Sequence, residues 1–318
     1  MDISVIGCGR WGAFLAWYLD RLSFRVRLYG RPHSKHFEAF LSARTNGITT
    51  LSPRVRLTTD LREALEPEII LISVNAQGLR ALMGQISAFA PKNKLFVLCM
   101  KGLETTSGKR LSEIVQDAAL DGARTAVWLG PGHVQEFTAG TPNCMVIDSA
   151  DDAAKGMLVD AFSSDLIRFY YGRDLIGNEV GAAAKNVIGI AAGVLDGLSL
   201  PSLKGALSSR GTREVARLIA AMGGNPYSAY GLCHLGDYAA TVFSPLSHNR
   251  RFGEAFVRGE AFGELAEGVD TAKALRLLSQ KYDVELPICD AVFDTLFEGI
   301  PAAKAVEHLF ERSLKHEF

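Results

Sequence analysis

The stretch Asp2-Ile3-Ser4-Val5-Ile6-Gly7-Cys8-Gly9-Arg10-Trp11-Gly12-Ala13-Phe14-Leu15 decides the fold. Ile3–Ile6 is a short run rich in β-branched residues, the pattern of a buried strand. Beyond it the period changes: Trp11, Phe14, Leu15, Tyr18 and Leu19 fall at i, i+3, i+4, i+7 and i+8, one face of a helix. Between strand and helix stands Gly7-x-Gly9-x-x-Gly12. Alone that spacing is weak, because an ordinary glycine turn meets it too. After a strand and opening a helix it reads as a dinucleotide fingerprint. Gly7 would make the tight turn, Gly9 would let a pyrophosphate approach the backbone, and Gly12 would let helix and strand lie close.

Outward from this stretch, the first half of the chain repeats the theme. Val26–Tyr29, Ile69–Val74, Leu95–Cys99 and Ala126–Leu129 are further strand candidates, with helix candidates near His33–Ala43, Gly78–Phe89 and Ser107–Ala119. Cys144–Ile147 and Ile167–Tyr170 would extend the sheet. Such β-α-β repetition predicts a doubly wound, mainly parallel α/β sheet of Rossmann type over residues 1–172. From 173 to 318 an all-α domain is expected, with helices over Gly177–Leu198, Ser202–Ala221, Ala229–Phe243, Arg251–Val257, Glu267–Tyr282, Pro287–Phe297 and near Ala302–Lys315.

Composition agrees with two domains. The chain has 318 residues, and domains average about 150. Hydrophobic residues make up 48% and charged residues 22%, as in ordinary globular proteins. With 34 Lys+Arg against 35 Asp+Glu, the net charge of −1 argues against a nucleic-acid partner. The scattered Cys8, Cys99, Cys144, Cys233 and Cys289 favour free thiols in a reducing compartment. No basic n-region follows Met1, so no signal peptide is expected and a cytoplasmic location is. The longest apolar stretch, Ile176 to Leu200, contains Glu179, Lys185, Asn186 and Asp196. Charges at a bilayer centre cost about 2.5 kcal/mol or more each, so a buried helix is expected rather than an integral membrane segment.

The end of the second strand bears on the cofactor. Leu28-Tyr29-Gly30-Arg31 lacks the carboxylate that would take the ribose hydroxyls, and Arg31 could pair a 2′-phosphate. That favours NADP at least as much as NAD, unless Arg31 is a solvated loop residue. Gly181, Lys185, Gly189 and Gly193 are spaced by four and share a helix face. Each glycine weakens a helix interior by roughly 1 kcal/mol, so a neighbouring helix, a loop or a ligand must approach that face closely. A lysine there either snorkels from a packed helix or serves as a partly desolvated general acid/base. Asn186 adds a neutral donor and acceptor, and Asp237 is a candidate to orient the lysine. Lys101 falls at the carboxyl end of a strand, where doubly wound sheets bind ligands. Ser247-His248-Asn249-Arg250-Arg251 gathers donors suited to phosphate. The seven histidines show no ligand spacing, so no metal is expected.

Taken together, Gly7-x-Gly9-x-Trp11-Gly12, Lys101-Gly102, Gly130-Pro131, Glu179…Lys185-Asn186-Val187, Asp196-Gly197, Gly236-Asp237, Asn249–Gly253, Glu267-Gly268 and Leu286-Pro287 resemble the NAD(P)-dependent glycerol-3-phosphate dehydrogenases of bacterial type. The resemblance covers nearly the whole chain in family order. It implies a Rossmann domain followed by an all-helical one, usually in a homodimer. The implied activity interconverts dihydroxyacetone phosphate and sn-glycerol 3-phosphate, supplying phospholipid synthesis. It implies Lys185 as general acid/base, with Lys101 and Asp237 also catalytic. Gly130, Gly132, Asn186, Thr241, Ser247, His248 and Asn249 would complete the substrate contacts. Arg10, Trp11, Arg31, Lys101, Val134, His248, Arg250 and Glu267 would contact the dinucleotide beside the glycines. Three positions depart from the family pattern: its Ser-Arg-Asn reads Ser247-His248-Asn249, its Ser/Thr after Gly-Pro is Gly132, and its Val-Pro is Val74-Asn75. Arg250 could offset the lost arginine. The departures keep open a dehydrogenase for another small hydroxy acid, and beyond enzymes a dinucleotide-binding sensor.

Overall fold

The structure, a computed structural model, describes residues 1–314 and 316–317. The chain separates into two compact units: Met1–Lys101 with Lys109–Leu175, and Gly102–Gly108 with Ile176–Phe318. The short excursion into the second unit has a packing cause. Leu103 is fully buried in the helical core, and Gly108 lies against Leu278.

The first unit is built on an eight-stranded sheet: β1 (Asp2–Ile6), β2 (Arg25–Tyr29), β3 (Arg56–Thr58), β4 (Ile69–Ile72), β5 (Leu95–Leu98), β6 (Arg124–Leu129), β7 (Asn143–Ser149) and β8 (Ile167–Tyr171), in the order β3-β2-β1-β4-β5-β6-β7-β8. All pairings are parallel except β6 with β7. All residues of β4 and β5 are buried, each large aliphatic side chain stabilising by about 1.5–3 kcal/mol. The helices of this unit are α1 (Arg10–Arg21), α2 (Lys35–Ala43), α3 (Leu61–Ala64), α4 (Leu79–Ser87), α5 (Leu111–Asp117), α6 (Val134–Thr138) and α7 (Asp152–Phe162). Three of them, α3, α6 and α7, and the strand β3 lie where the sequence pattern gave no element.

The strand order reverses direction at β1 and β4. That is the topological switch point, outside whose carboxyl ends ligands bind in doubly wound sheets. The glycine turn sits there: Gly7 donates its N–H to Tyr29 O at 3.0 Å, and Ser73 donates to Ile6 O at 2.8 Å.

The second unit is helical: α8 (Leu175–Gly197), α9 (Lys204–Ala221), α10 (Asp237–Val242), α11 (His248–Arg258), α12 (Glu267–Tyr282), α13 (Pro287–Phe297) and α14 (Ala302–Phe310). The expected single helix Ala229–Phe243 is instead a 3₁₀ turn, Pro226–Tyr230, a π-helical turn, Leu232–Gly236, and then α10. The last helix ends at Phe310, five residues short of expectation, and Lys315 itself lies outside the described residues. Helix α8 is long and apolar enough to cross a membrane, but 89% of its most apolar window is buried within the fold.

Candidate active site

In the first unit, the three glycines of the turn do different work. Gly7 has φ +112°, and a Cβ on it would stand 2.1 Å from Ser73 O. A Cβ on Gly12 would stand 1.9 Å from Gly7 O. Both are therefore demanded by the chain's own backbone. Gly9 is not: among the described residues nothing lies within 4 Å of where its Cβ would be. It is the N-cap of α1, and none of the described side chains caps that end. The amide dipoles of the first turn thus face room for an anion, and the residues present fit a dinucleotide pyrophosphate.

Around this turn stand the other candidates of the first unit. Arg10 and Trp11 open α1, and Trp11 packs on Phe14 and Phe137 at centroid distances of 4.9 and 6.2 Å. Arg31 is exposed just past β2. Lys101 follows β5, and its Nζ donates to Gly130 O at 2.8 Å, tying the ends of β5 and β6. Gly132 has φ +142°, and a Cβ there would meet the Phe137 ring at 2.2 Å. No serine or threonine fits that backbone without moving Phe137, so this position offers only backbone groups. Val134 begins α6 and is buried.

In the second unit, Lys185 projects from α8 and is only 8% exposed. Its Nζ lies 3.3 Å from Asp237 Oδ1 and donates to Thr241 Oγ1 at 3.1 Å. The Thr241 hydroxyl donates to Asp237 O at 2.7 Å. Asp237 and Thr241 are four apart and so share one face of α10. Two acceptors on one rigid element therefore aim a buried ammonium. Beside it, Asn249 Nδ2 donates to Asn186 Oδ1 at 3.0 Å, and Asn249 Oδ1 accepts from Gly268 N at 2.9 Å. Ser247 caps α11, accepting from Arg250 N at 3.3 Å.

The glycine face of α8 meets helices. A Cβ on Gly189 would touch Thr241 and Asn249, and one on Gly193 would stand 1.9 Å from Arg250 O. Gly253 of α11 returns the contact, its would-be Cβ 2.2 Å from Ile190 O. His234, in the π-turn, was absent from the sequence-level candidates. Its ring is 1% exposed, and Nδ1 lies 2.9 Å from Gly181 O. Burial drives its pKa down to about 4. The signal was there: a histidine in a six-residue stretch bounded by Gly231 and Gly236, next to Asp237.

The comparisons with known proteins agree over the whole length. Models described as the N-terminus and the C-terminus of NAD-dependent glycerol-3-phosphate dehydrogenase match residues 2–155 and 174–307. The chain belongs to this family. It is 35% identical to the glycerol-3-phosphate dehydrogenase (NAD(P)+) of Thermoanaerobacter sp. (strain X514), covering 100% of this chain and 99% of that one. The counterpart in Macrococcus caseolyticus is 32% identical with 100% of both covered. The crystal structure of the Coxiella burnetii glycerol-3-phosphate dehydrogenase superposes with a TM-score of 0.90 at 29% identity, covering 98% and 99%. This glycerol-3-phosphate dehydrogenase family member is thus an oxidoreductase acting on a CH–OH group with NAD or NADP.

Against the family pattern, the structure shows where the departing side chains are engaged. His248 stands first in α11, with Nε2 2.9 Å from Glu264 Oε2 and Nδ1 3.3 Å from Leu265 O. Arg251 shares Glu264 at 2.6 Å. Arg250 is turned to Asp196, Nε to Oδ2 at 2.6 Å, and to Glu254 at 3.5 Å. Glu267 is half-buried at the start of α12, next to Gly268.

Proposed function

We propose that this chain interconverts dihydroxyacetone phosphate and sn-glycerol 3-phosphate, with Lys185 exchanging the proton on the substrate's central oxygen. The single observation that carries this reading is the buried Lys185 ammonium held between Asp237 and Thr241, at 3.3 and 3.1 Å. A carbonyl that receives hydride at carbon needs a proton at oxygen, and an aimed ammonium supplies one. In the reverse direction the neutral amine accepts it back. Asp237 stabilises the ammonium in both directions, because a buried charge without its partner costs about 3–5 kcal/mol. Lys101 and Gly130, with Gly132, Asn186, Thr241, Ser247, His248 and Asn249, are the proposed substrate contacts.

When bound, the nicotinamide dinucleotide supplies or takes the hydride. Gly7, Gly9 and Gly12 with Arg10 and Trp11 would hold its pyrophosphate end, and Arg31 the 2′-phosphate where the cofactor carries one. Lys101, Val134, His248, Arg250 and Glu267 are proposed as further dinucleotide contacts. Because Arg31 follows β2 where no carboxylate stands, NADPH is expected to bind at least as well as NADH. We further propose a cytoplasmic homodimer whose glycerol 3-phosphate enters phospholipid synthesis, on the strength of family membership.

The test is NAD(P)H oxidation with dihydroxyacetone phosphate beside a panel of other small keto substrates. Oxidation fastest with dihydroxyacetone phosphate is expected. No oxidation with it above background overturns the reading. Then a different small keto acid becomes the preferred substrate, the alternative that the departures at His248 and Gly132 keep open.

A further inference from the structure

We propose that His234 is a positioning residue for the reaction, its ring locking the π-turn to the Gly181 carbonyl so that Asp237 and Thr241 aim Lys185. The proposal rests on Lys185 being the acid/base.

The geometry begins with two facing rows. Gly181, Lys185 and Gly189 stand at i, i+4 and i+8 on α8. Opposite them, His234, Asp237 and Thr241 stand at i, i+3 and i+7. The contacts run in register: His234 meets Gly181, Asp237 and Thr241 meet Lys185, and Thr241 meets Gly189. His234 is thus the first rung of the ladder whose next rungs hold the ammonium.

That rung touches Lys185 through one atom. A carbonyl oxygen only accepts, so the 2.9 Å contact makes Nδ1 the donor to Gly181 O. Within an α-helix the same oxygen accepts the backbone N–H four residues on, which is that of Lys185. His234 and Lys185 therefore share an acceptor. Gly181 has no Cβ to hold the ring off; one there would stand 2.9 Å from His234 Cβ.

The segment carrying His234 is a π-helical turn, Leu232–Gly236, with Gly236 N donating to Gly231 O at 3.1 Å. Such turns are wider than an α-helix, are rare, and frequently lie at functional sites. This one sets where α10 begins and hence the direction of Asp237, its first residue. On the other side the His234 ring lies nearly parallel to Tyr238, at 13° and 6.1 Å, and Tyr238 is hydrogen-bonded to Ser208 of α9.

Two features set the ring apart from ordinary core filling. Its Nε2 is buried and has no hydrogen-bond partner among the described residues, a desolvation cost that an apolar side chain would not incur. The charges it feels are Asp237 and Lys185, and burial keeps it neutral, with a pKa of about 4. It therefore donates to Gly181 without competing with Lys185 for Asp237.

Steady-state kinetics of the full-length enzyme with dihydroxyacetone phosphate and NADPH test this, using His234→Ala, His234→Asn, His234→Gln, Lys185→Ala and the double variant Lys185→Ala/His234→Ala. Asparagine places an N–H where Nδ1–H stood, whereas glutamine carries its amide one carbon farther and replaces alanine if that variant does not fold. His234→Ala or His234→Gln should lower kcat by about tenfold or more while leaving the dinucleotide KM unchanged, and His234→Asn should restore most of it. In the Lys185→Ala background the further loss should vanish, as for residues acting as a unit. A kcat within about twofold of wild type, an asparagine variant no better than alanine, or losses that multiply would each overturn the positioning role. A wild-type kcat in Lys185→Ala would overturn the acid/base reading instead, and the positioning role with it.

Discussion

Two sets of glycines, one in each unit, share a close-packed look in sequence and differ in what they face. In the turn after β1, Gly7 and Gly12 are pressed by the chain's own backbone, while Gly9 faces open space at an uncapped helix end. Along α8, Gly181, Gly189 and Gly193 are pressed by His234, by Thr241 and Asn249, and by Arg250 O. The first set leaves a place for a ligand; the second lets α10 and α11 approach so closely that Asp237 and Thr241 of α10 reach Lys185 and Asn249 of α11 reaches Asn186. A glycine pattern therefore does not announce a ligand. What sets Gly9 apart from the other five is that its missing Cβ would strike no protein.

The largest effect expected is at the charge that the second set surrounds. Lys185→Ala should lower kcat by about 10² to 10⁴, the range for losing a positioned general acid. Thermal stability should fall as well, because Asp237 is left a buried charge without its partner, at a cost of about 3–5 kcal/mol. Alanine's helix propensity offsets this only in part, so the rate is read well below the variant's melting temperature. Rate and melting temperature measured on one preparation decide between this and a structural lysine: a folded variant retaining more than about a tenth of wild-type kcat would refute the role.

Next comes the helix crossing itself. A Cβ on Gly193 would stand 1.9 Å from Arg250 O and 2.8 Å from Glu254 N, both backbone atoms that cannot rotate away. Gly193→Ala should therefore destabilise by about 3 kcal/mol or more, despite alanine's better propensity. Urea unfolding measures it, and a midpoint at or above wild type would mean that α11 does not lie where the structure puts it.

How far these features were legible in the sequence varies by element. β1, β4 and β5 announced themselves as short apolar runs because both faces of each are buried, and β2 did so through Val26, Leu28 and Tyr29 although Arg25 is exposed. β3 did not: it has three residues, of which Arg56 is exposed and Thr58 alone is buried. Nor can a run such as Cys144–Ile147 reveal direction, because buried strands read alike in either sense, and β7 runs antiparallel to β6. Near the site, the spacing of Lys185 among glycines and the Gly236-Asp237 step marked two residues that the structure holds 3.3 Å apart. His234 was marked only by its place between Gly231 and Gly236, because its partner is a backbone carbonyl and backbone acceptors leave no trace in residue identity. The π-turn was hidden for the same reason, its apolar residues continuing a helical pattern.

His234 also separates the two glycine regions by acidity, with a smaller effect. An ordinary histidine takes a proton near 6.5, whereas His234 in the fold does so only at about 4. Between those values the unfolded chain binds more protons than the folded one, so His234 makes stability fall as pH drops, by up to about 1.4 kcal/mol per pH unit. Glu214 opposes it. Buried, and accepting from the backbone N–H groups of Ile288 and Cys289, it has a pKa raised to about 7. Its protonated form favours the fold below the ordinary carboxylate range, a benefit lost as pH rises toward 7. The two slopes partly cancel, so the informative quantity is a difference. His234→Asn, neutral at every pH, should be less acid-sensitive than wild type in melting temperature between about pH 6.5 and 4. Parallel curves would show that the histidine is not buried neutral.

The smallest expected effect belongs to the first set and sharpens the contrast most directly. Gly9→Ala puts its methyl group into open space, so the fold should change by no more than the loss of a good N-cap residue, about 1 kcal/mol. Dinucleotide affinity should nonetheless weaken by about tenfold, because the methyl occupies the approach to the helix N-terminus. NADH and NADPH should suffer alike, since both carry the pyrophosphate. Arg31→Ala should behave otherwise, weakening NADPH and leaving NADH nearly untouched, because only NADPH has the 2′-phosphate for the guanidinium. Calorimetric Kd values for both cofactors on both variants give four numbers with one expected pattern. Equal losses in Arg31→Ala would assign that arginine to a part the two cofactors share. An unchanged affinity in Gly9→Ala would mean that the open space beside Gly9 is not where the pyrophosphate lies.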